Sequence, residues 1–281
     1  MFSKLRKIFQ SVNWTSWYNE KTFHILADDY IRKNLFGNPD YREKEKLNLF
    51  EYQVFSQNGE DGIIREIFKR IGVTNKYFIE FGVETGMENN THFLLNDDWS
   101  GLWIEGDKNN YESIQNNFNF LISKNKLKIQ NEIITRDNIE KIISSSGVPE
   151  EFDLLSIDID GNDYWIWSAI ENYSPRVVVI EYNSHMGPDL KWVMKYNPDS
   201  DNKTTSYYGA SLKSYELLGD KKGYSLVGCN FTGCNAFFVR KDLLADKFKG
   251  PFTSENFYEP PRFFLYRTNG HPRKTGEFLN I

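Results

Sequence analysis

The sequence has little cysteine and no long apolar run, and each absence excludes a class of protein. Its 281 residues include two cysteines, Cys229 and Cys234, which rules out a disulfide-stapled fold and a four-cysteine zinc site. No stretch reaches the roughly 20 apolar residues of a membrane span, and the N-terminus lacks a signal-peptide core. We therefore expect a cytoplasmic protein whose hydrophobic core is large enough to stabilise the fold without disulfide bonds or a structural metal.

Basic residues are also scarce, with 34 Lys and Arg against 39 Asp and Glu. A protein that follows the phosphates of DNA or RNA needs clustered cations, so we expect no nucleic-acid partner. The N-terminal segment has two interpretations: a helix packed on the domain, which ordinary frequencies favour, or a peripheral membrane contact. The apolar residues behind the second are Phe2, Leu5, Ile8 and Phe9. Association into a homo-oligomer stays open.

What the sequence does contain is a regular alternation of short apolar runs with helical patterns after residue 50. The predicted strands are 77–81, 102–105, 126–134, 153–159, 176–181, 224–229 and 236–240. Apolar strands separated by helices predict a parallel sheet covered on both faces. The last two runs are joined too tightly for a helical crossover, which predicts an antiparallel hairpin. The expected fold class is α/β, a doubly wound sheet of seven strands with a reversed last strand.

The same pattern divides the chain into an extension, a domain and a tail. Residues 1–50 form the helical or irregular extension, residues 51–245 the domain, and residues 246–281 a tail packed on it. Within the domain, residues 184–211 are long and polar, which is typical of a lid or binding segment.

Two carboxylates and two glycines stand at the ends of the first two predicted strands. Glu80 ends the first strand, with Gly82 and Gly86 in the turn that follows, and Glu105 ends the second. Ligands of doubly wound sheets bind beyond the carboxyl ends of the strands, and glycine allows close approach of a ligand or a positive φ. A carboxylate in the position of Glu105 can accept the hydroxyls of a ribose.

A second polar cluster follows the fourth and fifth strands. Asp158 and Asp160 lie on the same side of the fourth strand, and Glu181, Asn183 and His185 follow the fifth. Two neighbouring carboxylates need a cation or a raised pKa, so Asp158, Glu181 and Asn183 are candidate ligands of Mg²⁺ or Mn²⁺. Asp158, Asp160 and His185 are the candidate catalytic residues, since transfer to a hydroxyl needs a base.

These segments resemble a known family. The runs Glu80-Phe-Gly-Val-Glu-Thr-Gly86, Phe152-Asp-Leu-Leu-Ser-Ile-Asp-Ile-Asp-Gly161 and Val177-Val-Val-Ile-Glu181, with Ile104-Glu105 and the last strand, are similar to class I S-adenosylmethionine-dependent methyltransferases. Within that class they resemble the FkbM-like family. The resemblance implies the Rossmann-like fold, S-adenosylmethionine as cofactor, and a divalent metal in some members. Gln57 is a candidate for the methionine end of the cofactor.

The expected function is O-methylation of a carbohydrate or nucleotide-linked sugar. Aromatic residues of the 184–211 segment are candidates to stack on sugar faces, and cations there and in the tail to meet a phosphate. They are Trp192, Tyr196, Tyr207 and Tyr208, with Lys191, Lys195, Lys203, Arg262, Arg267, His271 and Arg273. The alternatives are a metal-dependent glycosyltransferase that uses Asp158-x-Asp160 and a sugar-binding module without catalysis.

Overall fold

The structure is a computed structural model that describes residues 2–43, 45–198, 205–265 and 273–276. Lys203, Arg267 and His271, predicted for the substrate side, lie outside the described residues. The side chains of residues 2–13, on which the membrane prediction depends, lie outside them as well. The chain divides into two compact units, Met1–Glu45 and Lys46–Ile281.

The first unit is helical. It consists of α1 (Phe2–Ile31), a π-helical turn (Arg32–Phe36) and α2 (Pro39–Glu43). Trp14, Trp17 and Tyr18 of α1 contact one another with ring centroids 5.1–6.1 Å apart, although each is largely exposed. Among the described residues no helix combines the length and the apolar character that crossing a bilayer requires.

The second unit is a seven-stranded sheet with helices on both faces. Its strands are β1 (Tyr77–Phe81), β2 (Ser100–Glu105), β3 (Leu127–Asn131), β4 (Glu151–Ile157), β5 (Ser174–Glu181), β6 (Tyr224–Cys229) and β7 (Asn235–Arg240). Its helices are α3 (Glu60–Ile71), α4 (Lys108–Ile122), α5 (Ile139–Ser145), α6 (Asp163–Ala169), α7 (Leu212–Lys221) and α8 (Ser254–Phe257). Short 3₁₀ turns lie at Leu47–Phe50, His92–Asp97, Ser184–Met186, Lys241–Leu243 and Phe263–Leu265.

The strand order confirms the predicted fold class. The sheet runs β3-β2-β1-β4-β5-β7-β6. The first five strands are parallel, and β7 is antiparallel to both β5 and β6. The short β6–β7 connection reverses the chain, so β7 begins at the edge of the sheet where the parallel strands end.

Burial on both faces of the sheet explains why its strands are apolar throughout. Ile79 and Phe81 of β1 pack with α5, α6 and α7 on one face, while Phe78 packs with α3 and α4 on the other. Alternate residues of one strand thus enter two different cores. Helix α3 shows the matching pattern, since its isoleucines are buried and Gly72, with φ +73°, ends it.

At the amino ends of the strands a buried ion pair ties β4 to β5. Arg176 Nη1 donates to Asp153 Oδ1 at 2.6 Å, and both side chains are almost fully buried. The Asp153 carboxylate also accepts the backbone N–H groups of Thr74, Asn75 and Lys76. Every oxygen of this carboxylate is therefore satisfied, and the segment before β1 is held against β4.

Candidate active site

The register of the sheet brings the predicted site residues into one line. Phe81 of β1 pairs with Ile104 of β2 and with Ile157 of β4, and Ile157 pairs with Ile180 of β5. The next residue of each strand therefore falls in a common row across the carboxyl ends. We call this the strand-end row; its members are Glu105, Gly82, Asp158, Glu181 and Asn235, the last of which pairs with Glu181.

Positive φ and lack of space both require glycine in the turn after β1. Gly82 has φ +69°, and a Cβ there would lie 1.7 Å from the backbone oxygen of Asp158. Gly86 has φ +76°, and a Cβ there would lie 2.7 Å from the Trp103 ring. The turn is thus pressed between β4 and β2, and protein atoms take up the space beside both glycines.

Glu105 joins the end of β2 to the glycine turn. Its Oε2 accepts the backbone N–H of Glu84 at 2.7 Å, and its Oε1 accepts that of Asp107 at 2.8 Å. These two bonds orient the carboxylate, while each oxygen keeps a further lone pair. The arrangement suits a ligand that offers two hydroxyl donors, as a ribose does.

The Glu80 carboxylate already accepts hydrogen bonds from other groups of the protein. It accepts five hydrogen bonds of 2.6–3.1 Å from the 89–91 segment and Ser156. Burial raises its pKa. Glu80 lines a cavity that lies over the strand-end row, but its oxygens hold the loop above the glycine turn. Its contact with a cofactor stays a prediction.

Two cavities meet over the strand-end row. The inner one, of about 170 Å³, is lined by residues that include Gln57, Glu80, Asn89, Asp158, Glu181 and Asn235. The outer one, of about 460 Å³, is lined by residues that include Glu105, Asp107, Asn110, Ile133, Ile134 and Asn162. Gly82, Glu84, Asp158 and Asp160 line both, so an elongated ligand could occupy the two cavities together.

Two residues with a strained backbone lie where the two cavities join. Glu84 has φ +48° and Asp160 has φ +57°, a left-handed conformation that side-chain-bearing residues rarely adopt. Asp163 holds the second of these loops, because its carboxylate accepts the N–H groups of Ile159 and Gly161 at 2.8 and 2.9 Å. Strain of this kind is typical of functional sites.

The surroundings of the two acids at the centre of the row, Asp158 and Glu181, raise their pKa values. Burial, and then the charges of Asp163 and Asp160, raise the pKa of Asp158 well above its usual range. Burial and the charge of Asp158 do the same for the pKa of Glu181. A bound positive group would reverse this repulsion and stabilise both carboxylates as anions.

The structure does not complete a metal site from the predicted ligands. The Asn183 amide donates to the backbone oxygens of Ser206 and Tyr208, both at 2.9 Å, and its oxygen accepts the N–H of His185. Across the described ranges no group of three or more His, Cys, Asp or Glu side chains is arranged to hold a metal ion. Asp158 and Glu181 remain as neighbours, and two carboxylates do not form a complete ligand set.

His185 does not enter the cavity. It is exposed, and its ring lies against Phe263 with centroids 5.8 Å apart. Among the predicted bases, Asp158 and Asp160 are the ones that the fold places at the cavity wall.

Two asparagines of the inner cavity were not among the predicted site residues. Asn235 opens β7, and Asn89 lies in the loop above the glycine turn. The side-chain oxygens of both are buried without a hydrogen-bond partner. The reversed last strand was the signal for Asn235, because the first residue of a reversed strand lies where its parallel neighbours end.

The predicted substrate segment packs beside the cavities. Trp192 meets the exposed Tyr207 edge to face at 5.6 Å, and Tyr196 lies under Arg136 at 4.3 Å. Tyr208 is nearer to the acids: burial, and then the charge of Glu181, raise its pKa. The segment therefore offers aromatic side chains both at the surface and beside the row.

Part of the tail approaches the inner cavity. Arg273 pairs with Glu88 at 2.7 Å and donates to the backbone oxygen of Ser56 at 3.1 Å. Arg262 is instead engaged with Glu259 and stacks on Phe231. Of these two tail cations, Arg273 is the one in contact with a residue that lines the cavity.

Comparison with known proteins gives structural likeness only. No family model matches the sequence, and no curated protein matches it. A proposed O-methyltransferase from Klebsiella pneumoniae is similar at 15% identity and a TM-score of 0.45, over 79% of this chain and 99% of that one. A proposed caffeoyl-CoA O-methyltransferase from Staphylococcus aureus is similar at 15% identity and a TM-score of 0.46, over 77% and 99%.

A third similar structure is the N-terminal domain of EvdMO1 with SAH bound. It shares 12% identity with a TM-score of 0.42, over 71% of this chain and 94% of that one. At such identities and TM-scores the likeness carries no argument about chemistry.

Proposed function

We propose that this protein is an S-adenosylmethionine-dependent O-methyltransferase of the FkbM-like kind that acts on a hydroxyl of a carbohydrate or sugar nucleotide. The observation that carries the proposal is the strand-end row, which aligns Glu105, Gly82 and Asp158 beneath two adjoining cavities. The order matches the parts of such a cofactor: a ribose, a narrow linker and a positively charged centre.

The residues present fit this cofactor. In the outer cavity, Glu105 would hold the ribose hydroxyls, with Ile133 and Ile134 as apolar walls for the base. In the inner cavity, Gln57 and the backbone after Gly82 would hold the amino-acid end. When bound, the cofactor supplies a methyl group activated by a positive sulfur, and the unpaired acids of the row provide the opposite charge.

The chemistry left to the chain is positioning and removal of a proton. Asp158 lies at the centre of the row, and its raised pKa brings a carboxylate closer to the range of a useful general base. Asp160, at the junction of the cavities, is the second candidate. Asn183, the third predicted metal ligand, instead hydrogen-bonds the backbone oxygens of Ser206 and Tyr208.

Calorimetric titration with S-adenosylhomocysteine tests the proposal. We expect binding to the wild-type protein and at least about tenfold weaker binding to Glu105→Gln, which loses one charged acceptor of the ribose. Glu112→Gln is the matched control, since Glu112 is an exposed residue of α4 that pairs with Lys108 at 3.9 Å and does not line either cavity. Absence of binding to the wild-type protein would refute the proposal.

The alternatives differ in what else binds. A glycosyltransferase would bind UDP- or GDP-sugars but no S-adenosylhomocysteine, and a sugar-binding module would bind sugars without methyl transfer. Transfer of labelled methyl to a sugar, repeated with a chelator, tests both catalysis and the predicted metal. A cytoplasmic location and a homo-oligomer remain predictions that fractionation and size-exclusion chromatography can check.

A further inference from the structure

The far end of the strand-end row is distinct from the part assigned to the cofactor. Glu181 of β5 and Asn235 of β7 pair directly and both line the inner cavity. Among the described residues that line this cavity there is no lysine, arginine or histidine. The end of the cavity therefore presents acceptors and negative charge.

The orientation of the Asn235 amide is set by a hydrogen bond to Glu60. Its Nδ2 donates to Glu60 Oε1 at 2.9 Å, and the same Glu60 oxygen accepts Asn230 Nδ2 at 2.8 Å. A flipped amide would bring an oxygen against this carboxylate. Asn235 Oδ1 consequently points away from Glu60; it is buried without a partner in a residue that is only 5% exposed.

A buried acceptor without a donor is costly, by an amount comparable to a lost hydrogen bond, so the arrangement calls for a ligand group. That group must donate hydrogen bonds, because Asn235 Oδ1 can only accept. It must also be positive, because Glu181 and Asp158 lie beside it along the row. A primary ammonium meets both requirements with three N–H donors.

Position along the row indicates which ligand carries the ammonium. Adjacent strands lie about 4.8 Å apart, so the backbones of Asn235 and Glu105 are about 19 Å apart across four strand spacings. The proposed place of the cofactor's amino-acid end is at Gln57 and the backbone after Gly82, and Asn235 lies three strands beyond Gly82. The cofactor's own ammonium thus has a place elsewhere in the cavity, and the donor that Glu181 and Asn235 call for belongs to the other ligand.

We infer that Glu181 and Asn235 bind a primary ammonium group on the methyl acceptor, which makes the substrate an amino sugar or a similar amine-bearing alcohol. This inference rests on the proposed function and narrows its substrate class. Glu181 supplies the charge and one acceptor, and Asn235 Oδ1 supplies a neutral acceptor held by Glu60. Neutral sugars would leave both groups unmatched.

Binding in the presence of saturating S-adenosylhomocysteine tests the inference. Glucosamine, N-acetylglucosamine and glucose differ at one position, and only glucosamine carries an ammonium. We expect glucosamine to bind at least about tenfold more tightly than the other two. Glu181→Gln, which keeps the shape, should abolish this preference, whereas Glu171→Gln, at an exposed position, should preserve it.

The outcomes separate this inference from the proposed function. Equal binding of the three sugars, with S-adenosylhomocysteine still bound, would overturn the ammonium site alone. Weaker S-adenosylhomocysteine binding by Glu181→Gln, without any sugar preference, would assign the ammonium to the cofactor and also overturn it. Tight Mg²⁺ or Mn²⁺ binding that Glu181→Gln abolishes, again without a preference, would overturn it in favour of a metal. Failure of S-adenosylhomocysteine to bind would refute the function itself.

Discussion

Two aspartates at opposite ends of β4 have opposite surroundings. Asp153, near the amino end, accepts from Arg176 and from the backbone of residues 74–76. Asp158, just past the carboxyl end, lies among Asp163, Asp160 and Glu80, whose charges raise its pKa after burial does. One strand thus carries a satisfied carboxylate at one end and a repelled one at the other.

The difference between Asp153 and Asp158 separates a residue that stabilises the fold from a residue suited to bind a ligand. Removing one partner of a buried ion pair is strongly destabilising, because the remaining charge is left without compensation. Removing a repelled carboxylate costs the folded protein little, since no donor is lost with it. Stability should therefore depend on Asp153, and ligand binding on Asp158.

The largest effect is expected for Asp153→Ala. The change leaves Arg176 buried and three backbone N–H groups without their acceptor, so we expect a loss of about 3–5 kcal/mol of unfolding free energy. Urea unfolding measures it. Asp137→Ala, at an exposed residue that pairs with the adjacent Arg136, should cost less than about 1 kcal/mol. Equal losses would contradict the comparison.

Beyond the carboxyl end of β4, Asp163 should make the free energy of unfolding depend on pH. Burial raises the pKa of Asp163 from 3.8 to about 6. Between these two pKa values the folded protein holds a proton that the unfolded chain has released. The free energy of unfolding therefore falls as the pH rises, by up to about 3 kcal/mol.

The Asp163→Asn variant isolates this contribution. It lacks the titrating group, so the advantage of the wild type over the variant should shrink between about pH 4 and pH 7. Urea unfolding of both proteins at several pH values gives the difference. An advantage that does not change with pH would show that Asp163 does not titrate in this range.

The next effect concerns the turn that Asp158 presses against. In Gly82→Ala the new Cβ would meet the Asp158 backbone oxygen, and the positive φ adds strain. Gly223→Ala shares a positive φ, +85°, but has nothing within 4 Å. We expect thermal unfolding to show a loss about 2 kcal/mol larger for Gly82→Ala. Matching losses would mean that backbone conformation alone requires the glycine.

The smallest change in stability is expected for Asp158→Asn. The substitution removes a carboxylate that burial disfavours and that the charges of Asp163 and Asp160 repel, so we expect a gain of about 1 kcal/mol near pH 7. Binding of S-adenosylmethionine should weaken by at least about tenfold, because its positive sulfur loses a counter-charge. A destabilised variant with unchanged binding would reverse the roles assigned to the two ends of β4.

Much of the fold follows from local pattern. Apolar strands alternating with helices predict the parallel sheet, and the short connection before β7 predicts its reversal; both are confirmed. The pattern also indicates which end of the sheet carries the site, because parallel strands end at a common edge. For this reason Glu105, Gly82, Asp158 and Glu181 could be predicted as neighbours.

Side-chain partners could not be predicted in this way. Nothing in the local sequence shows that the Glu80 carboxylate accepts hydrogen bonds from the 89–91 segment. Nor does it show that the Asn183 amide donates to the backbone oxygens of residues 206 and 208. These hydrogen bonds join segments that are distant along the chain or lie in loops without a period. A pattern of residue types does not specify them.

By itself the sequence determined the fold class, the site edge and its acidic character, because hydrophobic periodicity and strand ends are local properties. Only the tertiary structure decided which polar groups are already used and which are free to meet a ligand. Glu80 and Asn183 belong to the first kind, and the oxygen of Asn235 belongs to the second. The physical reason is that a hydrogen bond depends on the position of both partners, and those positions exist only once the chain has folded.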